Sequence, residues 1–293
     1  MTEQHLHWGA EALWRQLEPL LPGLSIEVVA RTDSTNTRLV ERARGAACDS
    51  GATSAGVRFG RRAGDTQPVL LVAEHQTQGR GRQGREWLAT PLNSLTFSLA
   101  LPLARPDWSG LSIAVGVALA DALDPPAAPG AAAAAWPRIG LKWPNDLWLV
   151  EGPGRGRKLG GILIETVLVG ERRLAIVGCG LNVLPQPAEG LAHGYASLHE
   201  LDPQASAPAT LARVAGPLVQ ALLRFDAEGF VPFATAFAAR DLLRGRAVTT
   251  TAPAAPSGIA DGVDATGALR VLVDGEPVTI VSGEVSVRLH GAG

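Results

Sequence analysis

The sequence predicts an α+β protein in which a large domain, built on a mixed β-sheet with flanking helices, is followed by a small all-β domain. Up to Arg240, apolar runs typical of strands alternate with segments that have the helical spacing of leucines. After Arg244, short strand-like runs alternate with Gly and Asp turns such as Asp274-Gly275. A chain of 293 residues is long enough for both domains. We therefore expect a large domain at residues 1–243 and a small one at residues 244–293.

The order of the predicted elements supports this division. Five segments with helical spacing or buried-helix composition predict helices at Ala10–Leu21, Thr37–Arg44, Ser109–Leu123, Thr210–Phe225 and Phe230–Arg240. Apolar runs between them predict strands at Leu24–Val29, Val69–Ala73, Ser94–Leu101, Ile139–Val150, Leu159–Val169 and Leu174–Gly178. The small domain is expected to contain strands at Ala247–Thr251, Ala268–Val273, Pro277–Val281 and Glu284–Leu289.

The connections between these elements are rich in Gly, Pro, Ala and Arg. Cys48–Gln67 and Asp124–Pro137 are interpreted as surface loops, to which the sequence assigns no role. Glu151–Arg157 is predicted to be a hairpin loop that places Lys158 at its base. The small residues Gly178-Cys179-Gly180 are interpreted as a turn.

Composition excludes several classes of protein. Lys and Arg number 26 against 28 Asp and Glu, which gives a net charge of −2 and no global basic field for nucleic acid. Two cysteines, Cys48 and Cys179, provide neither a disulfide framework nor metal-ligand spacing, so we expect a reducing cytoplasm. The segment from Met1 to Trp8 lacks the apolar core of a signal peptide. The most apolar window, Leu111–Leu123, is too short to span a bilayer, so no membrane association is expected.

The most distinctive segment is Gln76–Trp87, in which three glycines alternate with three arginines before an indole. Glycine disfavours helices and strands, so the segment is predicted to be a mobile loop between two strands. Arginine guanidinium groups match phosphates and carboxylates, and glycines allow the backbone to approach such a ligand. From composition alone, a solvated loop or an RNA-binding Gly/Arg segment is an equally good interpretation.

Lysine is rare in this chain, because only Lys142 and Lys158 are lysines among the 26 basic residues. A compositional drift towards arginine would replace any lysine that arginine can substitute for. Since a compact ammonium differs from a planar guanidinium, these two positions are candidates for a function that requires lysine.

Six segments together resemble the motifs of the biotin protein ligase family, and they occur in the order of that family. They are Asp33–Asn36, the signature Gly79-Arg80-Gly81-Arg82-Gln83-Gly84-Arg85-Glu86-Trp87, Lys142–Leu147, Lys158–Glu165, Gly178–Val183 and, in the tail, Gly283–Arg288. The resemblance extends from about Ile26 to Arg288. It implies a catalytic domain of the class II synthetase and lipoate-ligase type, followed by an SH3-like barrel.

The resemblance also implies a reaction and the residues that carry it. Biotin and ATP would form biotinyl-5'-AMP, and a lysine of a biotin carboxyl carrier protein would then accept biotin. Catalysis is assigned to Lys158 and Arg80. Biotin binding is assigned to Ser34, Thr35, Asn36, Gln76, Arg80, Gly81, Arg82, Lys158 and Gly161, and ATP binding to Arg82, Arg85, Trp87, Lys142, Asn145 and Asn182. Mg²⁺ is expected with ATP. Asp146 is a weak candidate for its ligand, since an aspartate in this position more often forms a turn.

Other interpretations were weighed against this one. A lipoate or octanoate ligase has the same fold, but those families lack the Gly-Arg signature. A DNA-binding repressor is disfavoured because about 25 residues precede the first strand, too few for a three-helix DNA-binding module, so the resemblance is to a short form without one. A biotin carrier is excluded because its acceptor lysine lies between methionines and Met1 is the only methionine. A monomer and a homodimer both stay open.

Overall fold

The computed structural model describes residues 6–48, 66–126, 137–186, 194–281 and 287–289. The helices are α1 (Ala10–Leu17), α2 (Thr35–Cys48), α3 (Leu111–Leu123), α4 (Ala207–Glu228) and α5 (Ala234–Arg240). The strands are β1 (Ser25–Thr32), β2 (Val69–Gln76), β3 (Ser94–Pro102), β4 (Ile139–Lys142), β5 (Asp146–Gly152), β6 (Arg155–Val169), β7 (Arg172–Asn182), β8 (Ala247–Thr250), β9 (Ser257–Val263), β10 (Leu269–Val273), β11 (Glu276–Ile280) and β12 (Val287–Leu289). Most of the predicted loops at 48–67 and 124–137, and the first part of the predicted strand at 284–289, lie outside the described residues.

Seven strands form a mixed sheet in the order β1-β2-β3-β7-β6-β5-β4. β1 and β2 are parallel, whereas β2–β3, β4–β5 and β5–β6 are antiparallel. The last five strands form an antiparallel sheet in the order β11-β10-β9-β8-β12. The predicted α+β class, with its small all-β unit at the end of the chain, is therefore confirmed.

The chain packs as two compact units, residues 1–104 with 163–180 and residues 105–162 with 181–293. The small sheet belongs to the second unit. The domain boundary between residues 243 and 244 stays a prediction.

In the first unit, α2 packs its apolar side onto the sheet. Leu39, Val40 and Ala43 of α2 are buried against residues of β2, β3, β6 and β7. Each fully buried aliphatic side chain contributes about 1.5–3 kcal/mol relative to an exposed one. The Oγ of Ser34 accepts the N–H of Thr37 at 3.4 Å, which caps the start of the helix. Packing and capping together fix the position of the polar residues at the beginning of α2.

In the second unit, α3 is buried on nearly all sides, which explains its almost uninterrupted apolar sequence. Arg240, at the end of α5, has a side chain that is only 4% exposed and pairs with Asp121 at 2.8 Å and Asp124 at 3.1 Å. Its guanidinium also donates to the carbonyl of Ile139 at 2.8 Å. The buried charge of Arg240 is therefore compensated by two carboxylates and one main-chain carbonyl.

Two predictions about the hairpin region are wrong. The predicted strand Ile139–Val150 is two antiparallel strands, β4 and β5, separated at Trp143-Pro144-Asn145. Proline lacks the N–H that a central strand needs, so the strand is interrupted there. In addition, β5 continues to Gly152 and β6 begins at Arg155, so Lys158 lies inside a strand and not at the base of a loop. Gly154, with φ of 69°, allows the tighter turn.

The strands correct one further prediction and include one element that was not predicted. Gly178-Cys179-Gly180 is not a turn, because β7 runs without interruption to Asn182. Cys179 is buried in this strand, where desolvation raises the pKa of its thiol to about 12. The strand β9 was not predicted, since Ser257–Val263 contains two glycines and an aspartate and has a weak strand pattern.

Among the described helices, none is long and apolar enough to cross a membrane.

Asp241 follows α5 and carries an unusual carboxylate. One oxygen accepts the N–H of Leu243 at 2.9 Å, and the other is buried and receives no hydrogen bond from the described residues. Desolvation raises the pKa of Asp241 from 3.8 to about 6, although the N–H groups of Leu243 and Arg244 oppose this shift. An acid whose pKa is raised by folding disfavours the folded state at pH values where it must ionise.

Asp241→Asn is expected to raise the free energy of unfolding at pH 8 and to leave it nearly unchanged at pH 4. The cost of ionising Asp241 develops as the pH rises from 3.8 to about 6 and persists above that range. The gain at pH 8 is on the order of 1–3 kcal/mol. Urea unfolding of both proteins at a series of pH values measures it.

Asp264→Asn is the matched control, for which the expected change in the free energy of unfolding at pH 8 has the opposite sign. Burial opposes ionisation there too, but hydrogen bonds from Thr266 and Ala268 hold the pKa of Asp264 below its usual value of 3.8. Its contribution is present above pH 3.8 and is lost as the pH falls through the lowered pKa, so this substitution should cost stability at pH 8. Equal effects of Asp241→Asn at both pH values would contradict the assignment.

Candidate active site

Four buried polar side chains and the partly exposed Glu165 form a row at the start of α2 in the first unit. Gln76 Oε1 accepts the N–H of Thr35 at 2.7 Å and lies 2.9 Å from Thr35 Oγ1. Ser98 Oγ lies 2.7 Å from Thr35 Oγ1 and 2.6 Å from Asn36 Oδ1. Asn36 Nδ2 donates to Glu165 Oε2 at 3.0 Å. We call Gln76, Thr35, Ser98, Asn36 and Glu165 the polar row.

The polar row contains fewer hydrogens than its contacts require. Three oxygen–oxygen contacts join Gln76 to Thr35, Thr35 to Ser98 and Ser98 to Asn36, at 2.6–2.9 Å. Only the hydroxyls of Thr35 and Ser98 can supply hydrogens to these contacts, because the Asn36 amide group donates to Leu163 and Glu165. Ser98 can therefore donate to only one of Thr35 and Asn36, and the oxygens of the row keep lone pairs that can accept a further donor.

The Gly-Arg segment folds into a compact loop beside the polar row. The N–H of Gly81 donates to Arg85 O at 2.7 Å, and the N–H of Trp87 donates to Gly79 O at 2.8 Å. Arg80 Nη1 lies 3.2 Å from Glu165 Oε1 and 3.3 Å from Thr37 Oγ1. Arg80 is thus joined to the polar row through Glu165. The predicted mobility of the loop stays a prediction.

Two glycines of β7 allow this close packing. A Cβ on Gly178 would overlap with Asn36 Oδ1, and a Cβ on Gly180 would lie 2.5 Å from the ring of Trp87. Residues 178 and 180 point to the same face of the strand, since side chains alternate. The glycines that were interpreted as a turn therefore make room for Asn36 and Trp87.

The arginines of the loop differ in exposure. Arg80 and Arg85 are exposed, and Arg82 is half-buried. Arg85 Nη2 donates to Gln83 Oε1 at 3.2 Å. Gly81, at the entry to the short 3₁₀ turn 82–84, has an extended backbone. The biotin role assigned to Gly81 and the nucleotide roles assigned to Arg82, Arg85 and Trp87 stay predictions.

A second group of polar residues lies on β5 and β6 in the second unit. Lys158 Nζ lies 2.7 Å from Asp146 Oδ1, with side chains that are 28% and 15% exposed. Gly161 pairs with Asp146 across the two strands. A Cβ on Gly161 would lie 3.5 Å from Lys158 Nζ, which is ordinary contact. The contacts within the protein therefore do not by themselves require glycine at this position.

The remaining predicted nucleotide ligands are held by the protein. Lys142 is buried, and its Nζ lies 4.9 Å from the ring centroid of Trp148. Asn145 Nδ2 donates to Ile162 O at 2.9 Å. Asn182 Nδ2 donates to Lys158 O at 3.1 Å and to Ala196 O at 3.0 Å. The structure thus gives these three side chains structural contacts, and their nucleotide roles stay predictions.

Sequence reasoning did not assign a role to Ser98 or Glu165, although both belong to the polar row. Ser98 is completely buried in the apolar strand β3. A hydroxyl in a run of Leu, Phe and Ala was the available signal, because buried polar groups need partners. Glu165 ends the Lys158–Glu165 motif, but its contact with Arg80 spans 85 residues of sequence.

Gly180→Ala is expected to displace Trp87 and open the loop from Gly79 to Trp87. Overpacking of this kind costs about 1–3 kcal/mol, so trypsin should cleave after Arg80, Arg82 or Arg85 roughly tenfold faster than in the unchanged protein. Gly45→Ala in α2 is the control, because its Cβ would meet nothing within 4 Å. Equal cleavage of the two variants would show that Trp87 does not hold the loop.

Comparison with known proteins identifies the family. Residues 60–182 match the Biotin/lipoate A/B protein ligase family, and residues 245–288 match the Biotin protein ligase C terminal domain. The biotin–[acetyl-CoA-carboxylase] ligase of Mycobacterium tuberculosis is 33% identical over 94% of this chain and 91% of its own length. The bifunctional ligase/repressor BirA of Escherichia coli is 29% identical over 94% of this chain and 77% of its own length.

Solved structures agree with the sequence comparison. The biotin protein ligase from Aquifex aeolicus in complex with biotin and ATP is 25% identical, with a TM-score of 0.67 over 92% of this chain and 99% of that chain. The expected mixed-sheet catalytic fold with an SH3-like C-terminal domain is confirmed by these relatives. The chain belongs to the biotin protein ligase family.

Proposed function

We propose that this protein activates biotin with ATP as biotinyl-5'-AMP and transfers it to a specific lysine of a biotin carboxyl carrier protein. The observation that carries the proposal is the polar row, whose oxygens can accept further donors, beside an arginine-rich loop in a member of the biotin protein ligase family. The biotin ring is a urea with two N–H donors and one carbonyl acceptor. It therefore has the donors that the row can accept.

The polar row is assigned to the ureido group of biotin, together with Ser34, which is buried beside it. Burial of the row in a low-dielectric interior strengthens each hydrogen bond to the ligand. Gly161, in the second unit, is assigned to the bicyclic ring, as the sequence resemblance implies. The row supports binding of the uncharged end of biotin by hydrogen bonds.

The carboxylate end of biotin requires positive charge nearby, because the carboxylate and the ATP phosphates are both negatively charged and must come together. An oxygen of the biotin carboxylate attacks the α-phosphorus of ATP, and the bond from that phosphorus to the leaving pyrophosphate breaks. Lys158 contacts the carboxylate and the α-phosphate and stabilises the charge that develops on the phosphoryl oxygens. Arg80 contributes to the same stabilisation, and Arg82 and Arg85 bind the phosphates.

Transfer follows from the reactivity of the mixed anhydride. The amine of the acceptor lysine attacks the biotinyl carbonyl carbon, an amide bond forms, AMP leaves and the amine loses a proton. Water must be kept from the anhydride until the acceptor arrives. The loop from Gly79 to Trp87 is assigned to this task, with Trp87 lying over the adenylate.

The described residues do not provide a site for a resident metal ion, because they contain no group of three His, Cys, Asp or Glu side chains that could hold it. Magnesium that arrives with ATP needs only one or two protein carboxylates, because the phosphates supply the other ligands. Asp146 would provide that carboxylate. Mg²⁺ there would neutralise charge on the phosphates.

The named relatives favour biotin over lipoate or octanoate, although one matching family includes ligases of both kinds. We also propose a cytoplasmic protein, with domains at residues 1–243 and 244–293 and without sequence-specific DNA binding. The net charge of −2 supports the last point. A monomer and a homodimer are both compatible with this function.

Incubation of the protein with ATP, biotin and an apo carrier domain is expected to add one biotinyl group to the carrier, detected by intact mass. Lipoate and octanoate, offered separately and in competition, test the alternative substrates. A carrier with its acceptor lysine replaced by arginine is the control. An unchanged carrier mass with biotin, or preferred transfer of lipoate, would overturn the proposal.

Lys158→Gln and Lys158→Arg are both expected to lower biotin-dependent ATP–pyrophosphate exchange by roughly two to three orders of magnitude, the usual cost of one electrostatic group. Glutamine removes the charge, and the planar guanidinium is too broad to lie between two anions. Arg172→Gln is the control, since it removes an exposed cation that contacts Thr66. Near-normal exchange by Lys158→Arg would show that shape at this position is unimportant.

A further inference from the structure

Ser98 lies in the middle of the polar row and is its most deeply buried member. It is 0% exposed, whereas Thr35 and Asn36 are each 3% exposed and Gln76 is 8% exposed. Its Oγ lies 2.7 Å from Thr35 Oγ1 and 2.6 Å from Asn36 Oδ1. Because Ser98 presents no surface of its own, any influence that it has on a ligand passes through Thr35 and Asn36.

The orientations of the two carboxamides in the row follow from their main-chain partners. Asn36 Nδ2 lies 3.1 Å from Leu163 O, and a carbonyl can only accept, so the nitrogen of Asn36 faces Leu163 and its oxygen faces Ser98. Gln76 Oε1 lies 2.7 Å from the main-chain nitrogen of Thr35. A main-chain N–H can only donate, so the oxygen of Gln76 faces Thr35.

These orientations determine which contacts receive the hydroxyl hydrogens. The oxygen of Asn36 cannot donate, so its 2.6 Å contact with Ser98 uses the hydrogen of Ser98. The lone pairs of Ser98 then face Thr35 at 2.7 Å, and this contact uses the hydrogen of Thr35. The longest of the three contacts, 2.9 Å between Thr35 Oγ1 and Gln76 Oε1, receives no hydrogen. The donors therefore run from Thr35 through Ser98 to Asn36.

Two acceptors consequently meet at one end of the row. Thr35 Oγ1 and Gln76 Oε1 lie 2.9 Å apart, and both have lone pairs that a donor from outside the row can use. The two N–H groups of the ureido ring point away from each other, so oxygens this close together face only one of them. One ureido N–H directed at this pair of oxygens would complete the hydrogen bonding of the row.

We propose that Ser98 is a positioning residue for biotin, because it draws the hydroxyl hydrogen of Thr35 away from Gln76 and so keeps both oxygens as acceptors for one ureido N–H. Without the hydroxyl of Ser98, the hydrogen of Thr35 would turn to Gln76 Oε1, 2.9 Å away. The ligand N–H would then compete with a hydrogen bond inside the protein. The inference rests on the proposed assignment of the polar row to the ureido group of biotin.

Binding of biotin and of two lactam analogues tests this inference. In each analogue one of the two ureido N–H groups is replaced by CH₂, so one analogue keeps the N–H that faces the row and the other lacks it. Ser98→Ala is expected to raise Kd for biotin by about tenfold to a hundredfold, which is the effect of one buried hydrogen bond. The analogue that keeps the N–H should behave like biotin, and Kd for the other should change by less than about threefold. Titration calorimetry without ATP measures each Kd, by displacement of biotin where binding is weak.

Thr96→Val is the matched control for loss of a buried hydroxyl in the same strand. Thr96 lies on β3 two residues from Ser98, is 3% exposed, and donates its hydroxyl to Ala73 O at 3.1 Å, outside the polar row. Valine keeps the shape of the side chain and removes its hydroxyl, so all three Kd values should stay within about twofold. Ser98→Cys, whose thiol is only a weak donor, replaces Ser98→Ala if that variant does not fold.

The possible outcomes separate positioning from a general change of the pocket. An equal rise in Kd for biotin and for both analogues in Ser98→Ala would show that the substitution only distorts the site, and it would overturn the inference. An unchanged Kd for biotin in Ser98→Ala would overturn it as well. Failure of the unchanged protein to bind biotin would instead refute the proposed function, which is a separate failure.

Discussion

The first unit depends on one constraint, the need to satisfy the buried amide of Asn36. This side chain is 3% exposed and can be accommodated only if Ser98 presents a hydroxyl, Leu163 a carbonyl and Glu165 a carboxylate. The partners come from β3 and β6, and Gly178 of β7 must lack a side chain to admit the amide. An unsatisfied buried amide would cost on the order of 1–3 kcal/mol. Three strands that are distant from α2 in sequence are thus constrained together by one of its residues.

The two cations assigned to catalysis share a common design. Arg80 is paired with Glu165 at 3.2 Å, and Lys158 is paired with Asp146 at 2.7 Å. Each carboxylate orients its cation before any anionic substrate arrives, which lowers the entropic cost of forming the charged contacts. Partly exposed ion pairs of this kind contribute about 0–1 kcal/mol, so a phosphate or carboxylate can compete with either acid. On the proposed roles of Arg80 and Lys158, the pairing therefore preorganises both cations without making them inaccessible to substrate.

Local sequence patterns predicted most helices and strands correctly. They failed where contacts between residues distant in sequence determine the structure. The apolar runs at Val69–Ala73 and Ser94–Leu101 lie within β2 and β3, because a buried strand has a strong local pattern. The interruption at Pro144 and the straight course of β7 through Gly178 and Gly180 were missed. A local pattern predicts a turn at glycine, whereas here Gly178 and Gly180 each make room for a side chain from another segment.

The candidate site shows the same division. Thr35, Asn36, Gln76 and Arg80 were predicted to act together, and the structure joins them through hydrogen bonds and one ion pair. Ser98 was missed because a hydroxyl in the apolar run of β3 signals only the need for a partner, and its partners Thr35 and Asn36 lie 63 and 62 residues away in sequence. The contacts of Asn182 could not be predicted from sequence, since its two acceptors are main-chain carbonyls, which any residue type provides.

The two lysines illustrate how composition and geometry combine. In a chain with 24 arginines and two lysines, since 26 − 2 = 24, each lysine marks a place where the shape of the cation matters. Lys158 Nζ lies 3.5 Å from the position of a Cβ on Gly161, so a wider guanidinium would occupy the space that the glycine leaves open. Lys142 is 6% exposed over the ring of Trp148, where the larger guanidinium would have to displace close-packed neighbours. On the proposed role of Lys158 the first constraint concerns the ligand, whereas the second concerns packing, so two different physical reasons favour the same rare residue type.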